Sequence, residues 1–114
     1  MQNKELNLTM IMDLYELTMA NGIFTSDMRD TVTYFDMFFR RVPDNGGFAI
    51  MAGLEQLIEY MNNLEFTKED IEYLESLILF NEEFIDYLRN FKFSCDVWAV
   101  PRERLFSPMS PLLR

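Results

Sequence analysis

A chain of 114 residues is long enough for one domain with one core, and its 49% hydrophobic and 15% aromatic content excludes an intrinsically disordered segment. Nineteen acidic residues against ten basic ones leave a formal charge of −9, which repels a nucleic-acid backbone and the anionic face of a membrane. Histidine is absent and Cys95 is the single cysteine, so an internal disulfide, the histidine-dependent nucleophilic arrangements and the usual structural zinc sites are all excluded.

Met1 to Asn7 lacks the basic start and apolar run of an export signal, and no window approaches the roughly 18 apolar residues of a membrane span. A soluble, cytoplasmic protein is expected, with Cys95 as a small buried apolar residue. Asn7 or Thr9 is expected to cap a first helix running through about Ala20, because Met10, Ile11, Leu14 and Leu17 recur at helical spacing. Asn21-Gly22, both tolerant of left-handed backbone, should end it. Thr31 to Phe39 is dense in β-branched and aromatic residues on both faces and predicts a strand with little exposed surface.

Arg41 to Gly47 carries the strongest turn signal. Phe48 to Ala52 then reads as a second strand or the lead into a helix, with Gly53 allowing a tight junction. Leu54, Leu57, Ile58 and Met61 form a helical apolar stripe opposite Glu55, Glu59 and Asn62. Thr67-Lys68-Glu69-Asp70 is a variant capping box ahead of Ile71, Leu74 and Ile78. Asn81 to Phe91 repeats the helical pattern with Phe84, Ile85, Leu88 and Phe91. These last two helices predict an acidic hairpin whose Glu69, Glu72, Glu75, Glu82 and Glu83 form a solvated face. Ser94 to Val100 alternates and stops at Pro101, as a strand does.

Little of this carries chemistry by itself. Gly46-Gly47 lacks the lysine and third glycine of phosphate loops and reads as a turn. Asp13 and Glu16, three apart on the first helix, are either a carboxylate pair for acid–base work or part of an exposed face. Tyr15 and Arg40 are ordinary in isolation. The residues alone therefore lead to an acidic α+β domain without a self-contained active site, catalytic residue or metal site.

Order and spacing add more. Asp13-Leu14-Tyr15-Glu16-Leu17-Thr18-Met19, Phe35-Asp36-Met37-Phe38-Phe39-Arg40-Arg41, Gly46-Gly47 and Ala52-Gly53-Leu54-Glu55-Gln56 together resemble the opening of nicotinate phosphoribosyltransferases. The resemblance runs from about Leu6 to Val100 and returns at Pro111-Leu112-Leu113-Arg114. It implies that residues 1–114 are the N-terminal part of the α/β sandwich domain of a type II phosphoribosyltransferase, with the catalytic barrel absent. It further implies an enzyme that, when complete, joins nicotinate to phosphoribosyl pyrophosphate to make nicotinate mononucleotide for NAD synthesis. Such enzymes use ATP and magnesium and work as homodimers with shared active sites.

Residue by residue, Tyr15 resembles the family tyrosine that stacks on the pyridine ring from the neighbouring subunit, a fitting role for an aromatic face. Asp13 resembles the acidic residue that helps hold this helix end, although Met12 stands where the family commonly has threonine. Arg40 resembles an arginine that reaches substrate phosphates across the dimer, for which a guanidinium fork is suited. The resemblance implies no cofactor bound by this chain alone.

Residues 102–110 depart from the family pattern. One set of codons for Arg102 to Pro111, read from its third base onward, spells glycine, threonine, valine, isoleucine, phenylalanine, proline, asparagine, glutamate and proline, which is the family's own text. Two compensating frame changes bracketing this segment, in the gene or in its sequencing, are therefore expected. Two functional readings follow: the N-terminal domain or fragment of a nicotinate phosphoribosyltransferase, inactive alone, or a non-catalytic acidic α+β protein-interaction module.

Overall fold

The computed structural model describes residues 7–107 and 110–114. The expected start of the resemblance at Leu6, and Pro108 and Met109 of the divergent segment, lie outside the described residues. In chain order the elements are α1 (Leu14–Phe24), a 3-10 turn (Pro43–Asn45), β1 (Ala49–Ile50), α2 (Leu54–Asn62), α3 (Lys68–Ser76), α4 (Glu82–Arg89) and β2 (Leu105–Phe106). The architecture is mixed, mostly helical with little strand. The chain divides into two units, one of residues up to Thr31 with Asn62–Phe93, the other of Val32–Met61 with Ser94–Arg114.

The first unit is helical. Leu17 of α1, Ile71 and Leu74 of α3, and Phe84, Ile85 and Leu88 of α4 are buried together, edged by Met10, Met12, Phe24, Phe66 and Phe80. Phe24 tilts against Phe84 at 5.6 Å and against Tyr87 at 5.2 Å between centroids, spacings at which aromatic pairs attract beyond their buried area. The Thr67 box forms as predicted: Asp70 N–H donates to Thr67 Oγ1 at 3.2 Å, and Thr67 N–H donates to Asp70 Oδ2 at 2.8 Å. The α3 and α4 stripes are likewise those of the sequence, except that Phe91 lies past the end of α4 and that α3 stops short of Ile78.

That residue lies beyond the end of α3, at φ 55 and 90% exposed. The chain must reverse between Ser76 and Glu82, and the last turn tightens as Leu77 N–H donates to Leu74 O at 3.3 Å and Ile78 N–H to Glu75 O at 3.2 Å.

Both ends of α1 differ from expectation. Neither Asn7 nor Thr9 caps it, because the Asn7 amide donates to Asp70 Oδ2 at 3.1 Å and its carbonyl accepts from Thr9 N–H at 3.0 Å. Asp13 is the cap instead. Nor does Asn21-Gly22 stop the helix, which continues to Phe24. The Thr25 hydroxyl satisfies the terminal carbonyls of Asn21 at 3.0 Å and Gly22 at 3.2 Å, while Phe24 gains its aromatic packing.

In the second unit β1 and β2 pair antiparallel, Ala49 opposite Phe106 and Ile50 opposite Leu105. Met51 and Leu112 are its buried apolar residues among those described. The predicted turn is present, with Asp44 and Asn45 rather than the glycines in left-handed backbone at φ 57 and 54, which short polar side chains tolerate. Gly53, at φ 87, does make the junction into α2. Residues 112–114 are hydrogen-bonded on both sides. Met37 N–H donates to Leu113 O at 3.0 Å, while Trp98 and Arg114 exchange bonds of 2.7 and 2.8 Å.

The strands predicted for 31–39 and 94–100 are accordingly reduced to single bridges, Met37 with Leu113 and Ala99 with Leu113. Three pairing residues cannot order nine. Among the described residues nothing covers the apolar side chains of the first segment, so Val32, Tyr34 and Phe35 are 79%, 85% and 79% exposed, against the expectation of a covered strand. Cys95, expected to be buried, is exposed in the same loosely paired stretch before Trp98.

Candidate functional site

Asp13 and Tyr15 sit at the start of α1. Asp13, in extended backbone at φ −76 and ψ 141, opens the helix through a capping box with Glu16, whose Oε2 accepts from the Asp13 N–H at 3.1 Å. The carboxylate pair considered for acid–base work thus has a structural task at the helix end. Its signal, an acidic residue followed three positions later by glutamate, is present in the sequence. The Tyr15 carbonyl accepts from the Thr18 hydroxyl at 3.1 Å, and the residue is 60% exposed, so its ring face is available to a flat partner. Met19, one turn on and also 60% exposed, extends the apolar surface beside it.

Arg40 belongs to the other unit, at the bend between the extended segment and the 3-10 turn, and is exposed. It makes no ion pair among the described residues, which leaves its guanidinium fork open to an anion. In the same unit an open concavity of about 610 Å³ is walled by Trp98, Val100, Pro101, Arg104, Leu112 and Arg114, and Arg40 is not among its lining residues.

Arg114 is already engaged: its Nε donates to Asp36 Oδ1 at 2.7 Å and its Nη2 to Asp36 Oδ2 at 3.2 Å. This hydrogen bonding, aided by the positive charge and only partly opposed by desolvation, holds the Asp36 carboxyl below its ordinary range. Two residues 78 apart give no local signal of such a fork, and sequence reasoning missed it. Among the described residues no three His, Cys, Asp or Glu side chains are grouped to hold a metal ion.

These features define a mixed α+β domain that presents an exposed aromatic ring on one unit and an exposed guanidinium on the other. The family model of the nicotinate phosphoribosyltransferase (NAPRTase) N-terminal domain matches residues 10–114, and the chain belongs to that family.

Its relatives include a nicotinate phosphoribosyltransferase of Bacillus subtilis, 34% identical over 111 residues that make up 97% of this chain and 23% of the relative. Nicotinate phosphoribosyltransferase pncB2 of Mycobacterium tuberculosis is 34% identical over 102 residues, 90% of this chain and 22% of the relative. The crystal structure of human nicotinic acid phosphoribosyltransferase superposes with a TM-score of 0.81 at 32% identity, covering 90% of this chain and 21% of that one. The chain spans about a fifth of the length of the curated relatives it matches.

Proposed function

We propose that this chain acts as the N-terminal domain of a nicotinate phosphoribosyltransferase, a glycosyltransferase that in complete form makes nicotinate mononucleotide from nicotinate and phosphoribosyl pyrophosphate in NAD synthesis. The observation that carries the proposal is the family match over residues 10–114, with Tyr15 held outward on a capped helix inside it. In this reading the segment builds part of an α/β sandwich domain, and a barrel outside these residues supplies most phosphate and ribose contacts. ATP and magnesium act there too. The complete enzyme is a cytoplasmic homodimer with shared sites.

Tyr15 stacks on the pyridine ring, Asp13 secures the helix end that carries it, and Arg40 binds substrate phosphate. None of the three is assigned a catalytic step. A stacking ring and one phosphate-binding arginine cannot orient two substrates or stabilise ribosyl-cation character, so the 114-residue chain alone is inactive. The departure at 102–110 is read as two compensating frame changes, and the bases of the locus from the Val100 codon onward decide it.

Kinetics of a complete enzyme carrying this N-terminus test the site. Tyr15→Ala should cost on the order of 1 kcal/mol, a roughly fivefold rise in nicotinate KM, while Tyr15→Phe stays near wild type because the ring face does the stacking. Arg40→Ala should cost about 1.5–3 kcal/mol, read in the KM for phosphoribosyl pyrophosphate. Mixing Tyr15→Ala subunits with subunits defective only in the barrel should recover part of the activity. Wild-type kinetics for both single variants would overturn the residue roles, and no recovery in exchanged hybrids would overturn the shared site.

A further inference from the structure

Helix α1 carries apolar residues on most of its sides. Leu17 is buried, yet Leu14, Tyr15, Met19 and Ile23 are between 50% and 60% exposed. Leu17, Ala20 and Phe24 turn to the core, but with apolar residues also facing outward the helix has only a weak hydrophobic preference for that rotation. The Phe24 contacts with Phe84 and Tyr87 are tilted rather than stacked, and dispersion of this kind tolerates sliding. A directional contact is present at Asn21, half-buried on α1, whose Oδ1 accepts from the Asn81 N–H at 2.9 Å across 60 residues of sequence. Asn81 is itself fixed, because its own Oδ1 caps α4 by accepting from Glu83 N–H at 2.9 Å.

We infer that Asn21 is a positioning residue: its hydrogen bond to the start of α4 sets the rotation of α1 and so the direction in which the Tyr15 ring faces. The functional consequence rests on the proposed stacking role of Tyr15. A polar residue with a directional partner at a helix contact likewise specifies register in coiled coils, at some cost in stability. One residue's slip turns a helix by about 100°, enough to carry Tyr15 from an outward to a lateral direction. The Asn81 N–H lies near solvent, so water can replace the lost acceptor, and removal of Asn21 should disturb direction more than stability.

The experiment uses the 114-residue chain labelled with 3-fluorotyrosine, the Tyr15 resonance being assigned by its loss in Tyr15→Phe. Asn21→Leu should shift, split or broaden that resonance while the melting temperature stays within a few degrees of wild type. Asn21→Asp keeps an acceptor oxygen and should restore the wild-type line. Should Asn21→Leu fail to fold, Asn21→Ala carries the same expectation. An unchanged Tyr15 line in a folded Asn21→Leu or Asn21→Ala protein overturns the inference. In a complete enzyme with this N-terminus, Asn21→Leu should raise nicotinate KM about three- to tenfold with the KM for phosphoribosyl pyrophosphate unchanged, and Asn21→Asp should reverse it. If Tyr15→Ala itself leaves nicotinate KM unchanged, the stacking reading falls and the fluorine spectrum alone decides whether Asn21 sets the ring.

Discussion

Ile78 holds a left-handed backbone conformation, φ 55, with a β-branched side chain that is 90% exposed. Such a residue pays roughly 1–2 kcal/mol of backbone strain and recovers almost nothing by burial. Asparagine adopts the same conformation more readily and loses little apolar contact here, so Ile78→Asn should raise stability by about 0.5–1 kcal/mol, read as a higher urea midpoint. An equal or lower midpoint would show that Ile78 is not strained. The pattern could not reveal this residue, because isoleucine at the expected spacing reads as helix core, whereas Asp44 and Asn45 announce their left-handed turn by type. The site is legible to a similar, partial degree. Tyr15 and Arg40 stand out through the order of surrounding motifs, but the outward setting of Tyr15 depends on a helix whose apolar residues face most directions and on a partner at Asn81.

Helices α2, α3 and α4 are legible because their signals are local: a glycine junction, a threonine capping box, and apolar residues repeated every three or four positions. The strands are not, because their pairing is set by a three-residue segment, 112–114, that reaches back to Met37 and Trp98. The Asp36–Arg114 fork holds that segment, and its pH dependence has a definite sign. The Asp36 carboxyl is held below its ordinary value by the Arg114 hydrogen bond, so its contribution is complete above about pH 4, the ordinary aspartate value, and is lost as pH falls through the lowered one. Both side chains are partly exposed, so the contribution is modest and weakens with salt. The sole tryptophan, Trp98, is bonded through its backbone to Arg114 and reports the event. Its fluorescence should hold steady down to about pH 4 and change below it. Asp36→Asn should alter the emission at neutral pH and remove most of the acid step. An acid titration identical in the two proteins would rule the fork out as the clasp.

Charge and apolar surface are distributed unequally over the chain. Thirteen of the nineteen acidic residues but only five of the ten basic ones fall in the helical unit, leaving the second unit nearly neutral. Like-charge repulsion therefore keeps copies of the helical unit apart and does little to separate copies of the other. That other unit also carries Val32, Tyr34 and Phe35 at 79–85% exposure, just ahead of Met37, which bridges to Leu113. An exposed apolar strip of this kind favours association through its side chains. The 114-residue chain should accordingly bind an apolar-surface dye and sediment with a mass that rises with concentration. Replacing Val32, Tyr34 and Phe35 together by threonine keeps strand propensity while removing the apolar surface. The triple variant should lose most of the dye signal and the concentration dependence, with helical circular dichroism unchanged because its helical core lies in the first unit. Added salt should strengthen association of the wild-type chain by screening the acidic helices while leaving the apolar contact intact. Undiminished association of the triple variant would place the sticky surface elsewhere and remove the strip as its cause.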